Sequence, residues 1–166
     1  MSVLLGLIGS GIDGSRTPAM QEREADAHGL RCIYQVLSLD RLDGAAALSG
    51  LLDSAERMGS AGLNITHPCK QAVIPLLHEL SPDAAALRAV NTVLFRDGRR
   101  LGYNTDGSGF AEAFRRNMAG AELGHVVQLG AGRRVGCGAR AADDGGGAAH
   151  VGGRRCRPGN GGGGVT

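Results

Sequence analysis

The sequence predicts an α/β fold built on a mixed sheet, and three observations carry that prediction. Short apolar runs alternate with helix-like segments along residues 3–118. Two of the runs, NTVLFR and RRLGYN, flank Asp97-Gly98, the strongest short hairpin signal, so one strand pair is antiparallel. A last apolar run, residues 126–129, leads straight into Gly130-Ala131-Gly132.

Each element has a local reason. Residues 3–8 are a short apolar run ending at Gly9, as in a buried strand. Thr17 then caps a helix with Pro18 at its first position, and Gly29 suits its C-terminal end. Residues 32–37 (CIYQVL) read as a second strand, residues 45–58 as a helix closed by Gly59, and residues 63–66 as a third strand. Pro68 opens a helix over KQAVIPLLHEL, with Pro75 as a kink or a late start. A short helix at 82–88 precedes the hairpin, and residues 109–118 form the helix after it.

Of 166 residues, 42% are apolar and 20% charged, which suits one domain of usual size or one domain and part of a second. Aromatics make up 3% and Trp is absent, which argues against base-stacking nucleic-acid modules. No apolar run reaches the ~18 residues of a membrane span. The N-terminus lacks the basic stretch of a signal peptide, so no membrane partner and a cytoplasmic location are expected. Cys32, Cys69, Cys137 and Cys156 form no CxxC pair and no zinc-ligand set with His, so free thiols and no metal are expected.

Composition changes at residue 133. Residues 1–132 hold 12 basic and 14 acidic side chains; residues 133–166 hold six Arg, two Asp and 12 Gly, with no Leu, Ile, Met, Phe or Tyr. So little apolar surface cannot offset the ordering entropy, and this tail is expected to be disordered. Its Arg and Gly content invites an RNA-binding reading. RGG repeats and aromatics are missing, so no nucleic-acid partner is expected.

Four features could carry chemistry. Lys70 is the only lysine, beside 17 arginines. Arg keeps its proton at accessible pH, whereas Lys yields it when its surroundings lower its pKa, so Lys70 is a candidate acid/base group. On residue usage alone a solvated surface lysine is equally well supported. Asn104-Thr105-Asp106 lies between the hairpin and a helix; Asp106 would suit a lysine as partner, while a plain helix cap is the commoner outcome. The loop SGIDGSRT, from Ser10 to Thr17, joins a strand to a helix N-terminus, where hydroxyls and N–H groups suit a carboxylate or phosphate. Turn and capping chemistry is the commoner use of such a loop. Gly130-Ala131-Gly132 begins a dinucleotide fingerprint, but Val135 stands where a third small residue belongs and no apolar helix follows.

Taken together, GSRTP (14–18), GLNITHPCKQAVIPLL (62–77), AVNTV (89–93), GYNTDGSGF (102–110) and VVQLGAG (126–132) resemble the shikimate dehydrogenase family, closest to its quinate/shikimate dehydrogenase branch. Each segment is weak alone; the ordered set, with matching spacing over about residues 4–132, is specific. The resemblance implies a mixed-sheet N-terminal substrate domain (1–118), followed by only the first strand and glycine turn of a Rossmann domain (119–132). It implies reversible hydride transfer between a ring carbinol of shikimate or quinate and NADP or NAD. Ser15 and Thr17 would hold the substrate carboxylate. Asn64, Thr66, Asn91 and Asp106 would hold ring hydroxyls. Lys70 would be the acid/base group with Asp106 as its hydrogen-bonded partner, and Gly130, Ala131 and Gly132 would meet the cofactor. Family members occur as monomers and as dimers, so a homodimer fits the resemblance. Thr17 stands where the commoner family pattern has Ser, and the Thr form resembles members that accept quinate as well as shikimate. His67 and Cys69 read as packing residues.

Beyond Gly132 the family continues into further Rossmann helices and strands, and a C-terminal helix with a substrate-contacting Gln. This chain instead turns Gly/Arg/Ala-rich. Arg-for-Lys usage and abundant Gly and Ala indicate a GC-rich gene, and out-of-frame reading of such DNA yields this composition. Residues 133–166 are therefore expected to be an out-of-frame tail beginning near Arg133. Hydride transfer needs substrate and nicotinamide both positioned, so little or no dehydrogenase activity is expected of the chain as written. The alternative expectation is a non-catalytic remnant that binds a polyol acid.

Overall fold

The computed structural model describes residues 2–42, 44–121, 125–129 and 148–152. They fall into two units, Met1–Thr105 and Asp106–Thr166. The first holds strands β1 (Ser2–Gly9), β2 (Arg31–Ser38), β3 (Gly62–Ile65), β4 (Glu79–Leu80), β5 (Thr92–Arg96) and β6 (Arg99–Tyr103) in one sheet, ordered β2-β1-β3-β5-β6-β4. β2, β1 and β3 are parallel, β5 is antiparallel to β3 and β6, and β4 runs parallel to β6. This is the mixed α/β sheet that the sequence predicts. Its helices are α1 (Thr17–Ala27), α2 (Leu48–Arg57), α3 (Cys69–Ala72) and α4 (Pro82–Leu87).

Local chemistry sets most boundaries. Asp97 (φ 52°) and Gly98 (φ 69°) are both left-handed, the pairing a two-residue hairpin turn needs to match strand twist. Gly29 (φ 68°) ends α1, with the Leu30 N–H donating to the Ala25 carbonyl at 2.9 Å. Ser81 caps α4 by accepting the Ala84 N–H at 3.2 Å. At the start of α1 the expectation shifts by one residue. Arg16 occupies the cap position, and Thr17 is the first helical residue. The Thr17 N–H goes to Ser15 Oγ at 3.2 Å.

The helix expected over KQAVIPLLHEL does not form as one piece. α3 stops at Ala72, Pro75 sits in a short 3-10 turn (Ile74–Leu76), and Glu79–Leu80 is the strand β4. Pro75 has no N–H to give to the carbonyl four residues back, and its ring crowds that carbonyl. β6 supplies the alternative: the His78 N–H donates to the Arg100 carbonyl at 2.9 Å and the Ser81 N–H to that of Gly102 at 2.8 Å. The helix expected at 45–58 also opens differently, with a 3-10 turn (Gly44–Ala47) before α2.

The main core lies on one sheet face, where Ile8, Leu63, Ile65 and Val93 meet Leu48 and Leu52 of α2, Cys69 of α3 and Ala84 of α4. Arg100 of β6 clamps α2 at its edge, donating to Asp53 at 2.6 Å and to Glu56 at 2.7 and 2.9 Å. A smaller cluster on the other face joins Leu7, Ile12 and Tyr34.

The second unit holds α5 (Asp106–Asn117), β7 (His125–Leu129) and β8 (Ala148–Gly152). α5 starts three residues before its expected position at 109, with Asp106 in its first turn, where a carboxylate favours the helix dipole. Phe110 and Phe114 stack, their ring centroids 6.1 Å apart. β7 and β8 pair in parallel from His125↔Ala148 to Leu129↔Gly152. Ala148–Gly152 lies within residues 133–166. Gly130, Ala131, Gly132 and the remainder of 133–166 lie outside the described residues. Among the described residues no helix is long and apolar enough to cross a membrane.

Candidate functional site

Where β1 and β3 end, their chains touch. A Cβ added at Gly9 would lie 2.3 Å from Thr66 Cγ2 and 2.9 Å from the His67 carbonyl oxygen. The Ser10 N–H donates to that carbonyl at 2.8 Å, and the Thr66 N–H donates to Ile8 at 2.9 Å. The loop that follows is tied to the end of β2. The Gly11 N–H donates to Asp40 Oδ2 at 2.6 Å, Ser38 Oγ donates to the same oxygen at 3.3 Å, and Arg41 pairs with Asp13 at 3.0 Å. The Gly11 N–H, chiefly, holds the Asp40 carboxyl below its ordinary range, against the opposing effect of desolvation.

This loop and the sheet border an open cavity of about 410 Å³. Ser15, Thr17 and Thr66 bring hydroxyls to its lining, Gly11 and Gly14 bring backbone, and Leu7 and Ile12 are its apolar part. The Ser15 hydroxyl accepts the Thr17 N–H and donates to Thr17 Oγ1 at 3.0 Å. That leaves the Thr17 hydroxyl proton as the donor the pair can offer. Such a pocket, with few polar groups over an apolar base, suits a small anionic or polyhydroxylated molecule.

A second set of polar side chains crosses the same sheet. Asn64 of β3 stands directly opposite Thr92 of β5. Tyr34 of β2 reaches past β1 and donates to Asn64 Oδ1 at 2.6 Å. Asn64 Nδ2 donates to Thr92 Oγ1 at 3.4 Å, and the Thr92 hydroxyl donates to Asn91 Oδ1 at 3.0 Å. Asn91 Nδ2 donates to Thr105 Oγ1 at 2.9 Å, and the Thr105 N–H returns to Asn91 Oδ1 at 3.1 Å. Tyr34 is 8% exposed; burial, and secondarily Cys32, push its phenol pKa up.

Backbone bonds gather the other sequence candidates. Lys70, half-buried on α3, accepts the Val90 N–H on its carbonyl at 2.8 Å. The next residue, Asn91, accepts the Ile65 N–H at 2.8 Å, between Asn64 and Thr66. The first unit thus brings Asn64, Thr66, Lys70 and Asn91 onto linked backbone, and joins Ser15, Thr17 and Thr66 at one cavity. Asp106 opens α5, one peptide bond beyond Thr105. Cys69 is fully buried in the core, with its thiol pKa pushed up by burial, and His67 is exposed.

Sequence reasoning missed Tyr34, Thr92 and Asp40. Tyr34 read only as a strand residue within CIYQVL, and Thr92 stood in AVNTV beside the residue that was singled out. No sequence signal marks Asp40, whose partner lies 29 positions away.

The fold is that of a mixed α/β domain with hydroxyls and amides gathered along one sheet face. More specifically, the chain belongs to the shikimate dehydrogenase family, since residues 7–93 match its substrate binding domain. Over 132 residues it is 56% identical to a shikimate dehydrogenase (NADP(+)) of Streptomyces avermitilis, a match that covers 79% of this chain and 45% of that protein. Over 135 residues it is 50% identical to a quinate/shikimate dehydrogenase (NAD(+)) of Corynebacterium glutamicum, covering 79% of this chain and 47% of that protein. The structure of quinate dehydrogenase from Corynebacterium glutamicum in complex with NAD superposes with a TM-score of 0.80 at 46% identity, over 86% of this chain and 51% of that one. The chain spans about half the length of these relatives.

Proposed function

We propose that this chain carries the substrate site of a dehydrogenase that reversibly oxidises a ring hydroxyl of shikimate or quinate to the ketone. The observation that carries this reading is the cavity where Ser15, Thr17 and Thr66 converge. Ser15 and Thr17 hold the carboxylate, with the Thr17 hydroxyl as donor. Asn64, Thr66 and Asn91 hold ring hydroxyls. Lys70 accepts the proton of the reacting hydroxyl as hydride leaves its carbon, and returns it in the reverse direction. By resemblance to the family, Asp106 is the candidate partner of Lys70 and of a ring hydroxyl. NADP or NAD, when bound, supplies the hydride acceptor, and Gly130, Ala131 and Gly132 are its candidate contacts by sequence. The names of the relatives support both acids and both cofactors. The partner is a small molecule; neither nucleic acid nor membrane enters the reading.

Titration calorimetry of the 166-residue chain with shikimate and with quinate tests the site. Saturable binding of one acid, weakened in Ser15→Ala, is expected; a folded chain that binds neither overturns the reading. Turnover is followed by nicotinamide absorbance. The chain as written is expected to turn over little or not at all; in a full-length chain that carries this domain, Lys70→Ala is expected to lower kcat by about 10²–10⁴, the usual contribution of a positioned acid/base group. Binding without turnover would make this chain a polyol-acid-binding module.

A further inference from the structure

We infer that Tyr34 and Thr92 are positioning residues: they hold the Asn64 side-chain amide in one orientation, so that its donor and acceptor reach a ligand in fixed places. The inference takes its ligand from the function proposed above, but its geometry stands apart from it.

The argument starts at the one group in the network that has no choice. The Thr105 backbone N–H can only donate, and it points at Asn91 Oδ1 from 3.1 Å. That identifies the oxygen side of the Asn91 amide. The Thr92 hydroxyl lies 3.0 Å from the same oxygen, so its single proton goes there. Thr92 Oγ1 then meets Asn64 as an acceptor, which turns Asn64 Nδ2 toward it, at 3.4 Å. Asn64 Oδ1 therefore faces Tyr34, whose hydroxyl donates from 2.6 Å. Donation runs one way from Tyr34 through Asn64 and Thr92 to Asn91. Burial, which raises the phenol pKa, keeps the donor protonated.

Reversing the Asn64 amide would set Oδ1 against a Thr92 oxygen whose proton is committed elsewhere, and Nδ2 against a phenol that must then accept. Two bonds would be lost or remade together. An amide so held reads a ring hydroxyl in one sense, whereas a free amide would adapt to either. Asn91 is constrained further: its Oδ1 already receives two donors.

Tyr34→Phe and Thr92→Val test this, since each keeps side-chain shape and deletes one oxygen. The ligand-free readout is the Asn64 side-chain amide resonance, identified by its loss in Asn64→Ala. It is expected to shift or broaden in both variants; an unmoved resonance in both overturns the inference. The second readout is affinity for shikimate and quinate. Each variant is expected to weaken binding about tenfold when Asn64 is present, the scale of one hydrogen bond, and less than about twofold in the Asn64→Ala background. Equal weakening in both backgrounds would reduce Tyr34 and Thr92 to packing residues and overturn the inference. Should the wild-type chain bind neither acid, the proposed function fails, and the amide resonance alone decides the positioning role.

Discussion

Within β3, neighbouring residues do different work. Leu63 and Ile65 are 3% and 1% exposed, on the face that packs against α2, α3 and α4. Asn64, between them, turns to the other face and bonds Tyr34 and Thr92. β5 repeats the division, with Val93 in the core and Thr92 in the polar network. A strand's alternation thus separates core packing from the polar network at a spacing of one residue. The core face tolerates no polar atom without a partner. The polar face holds side chains that bond one another directly. Adjacent substitutions should consequently act on different observables.

The largest break in this comparison comes from the core. Leu52 is fully buried, and Leu52→Ala is expected to lower unfolding free energy by about 2–5 kcal/mol. Urea denaturation measures the loss, and the affinity of the molecules that stay folded should not change. Gly9→Ala comes next, because it strikes where the faces meet. Its new Cβ would sit 2.3 Å from Thr66 Cγ2 and 2.9 Å from a backbone oxygen, so the chain must shift, at a cost of about 1–3 kcal/mol. This variant should lose stability and affinity together, and retention of either would show that the two strand ends move independently.

Thr17→Val sharpens the comparison from the other side. Removing the donor of the Ser15–Thr17 pair is expected to weaken shikimate or quinate binding about tenfold. The melting curve should stay close to wild type, since α1 contributes no buried residue. The smallest effect concerns pH. Asp40 has its pKa lowered in the fold by the Gly11 N–H, so the stability it contributes is present above the ordinary carboxylate pKa. That stability is lost as pH falls through the lowered value, below about pH 4. Urea midpoints of wild type and Asp40→Asn should differ at neutral pH and converge in acid; a constant difference would show that Asp40 is not the titrating tie on the loop.

Much of the fold was legible because its signals are local. Asp97-Gly98 announced its hairpin, since few residue pairs accept two successive positive φ angles. Gly29 marked the end of α1 for the same reason. The helix expected at 70–80 was misread because apolar residues there suit either a helix or an edge strand. Pro75 and the open edge of β6 decided for the strand. At the site, Ser15, Thr17 and Thr66 were named from their segments, and the structure places all three at one cavity. Tyr34 and Thr92 stayed hidden, because a tyrosine or threonine in a strand most often signals only strand propensity.

Residue chemistry alone determined the Asp97-Gly98 hairpin turn, the end of α1 at Gly29, which loop carries hydroxyls, and that Lys70 is the single lysine. These follow from steric limits on φ and from side-chain groups, which act over a few neighbours. Tertiary structure alone decided that Asn64 faces Thr92, and that Tyr34 spans β1 to reach Asn64 from 30 positions away. Strand order and register select such partners. A register shift of one residue would turn Asn64 and Thr92 to the other face and leave the local sequence signals unchanged.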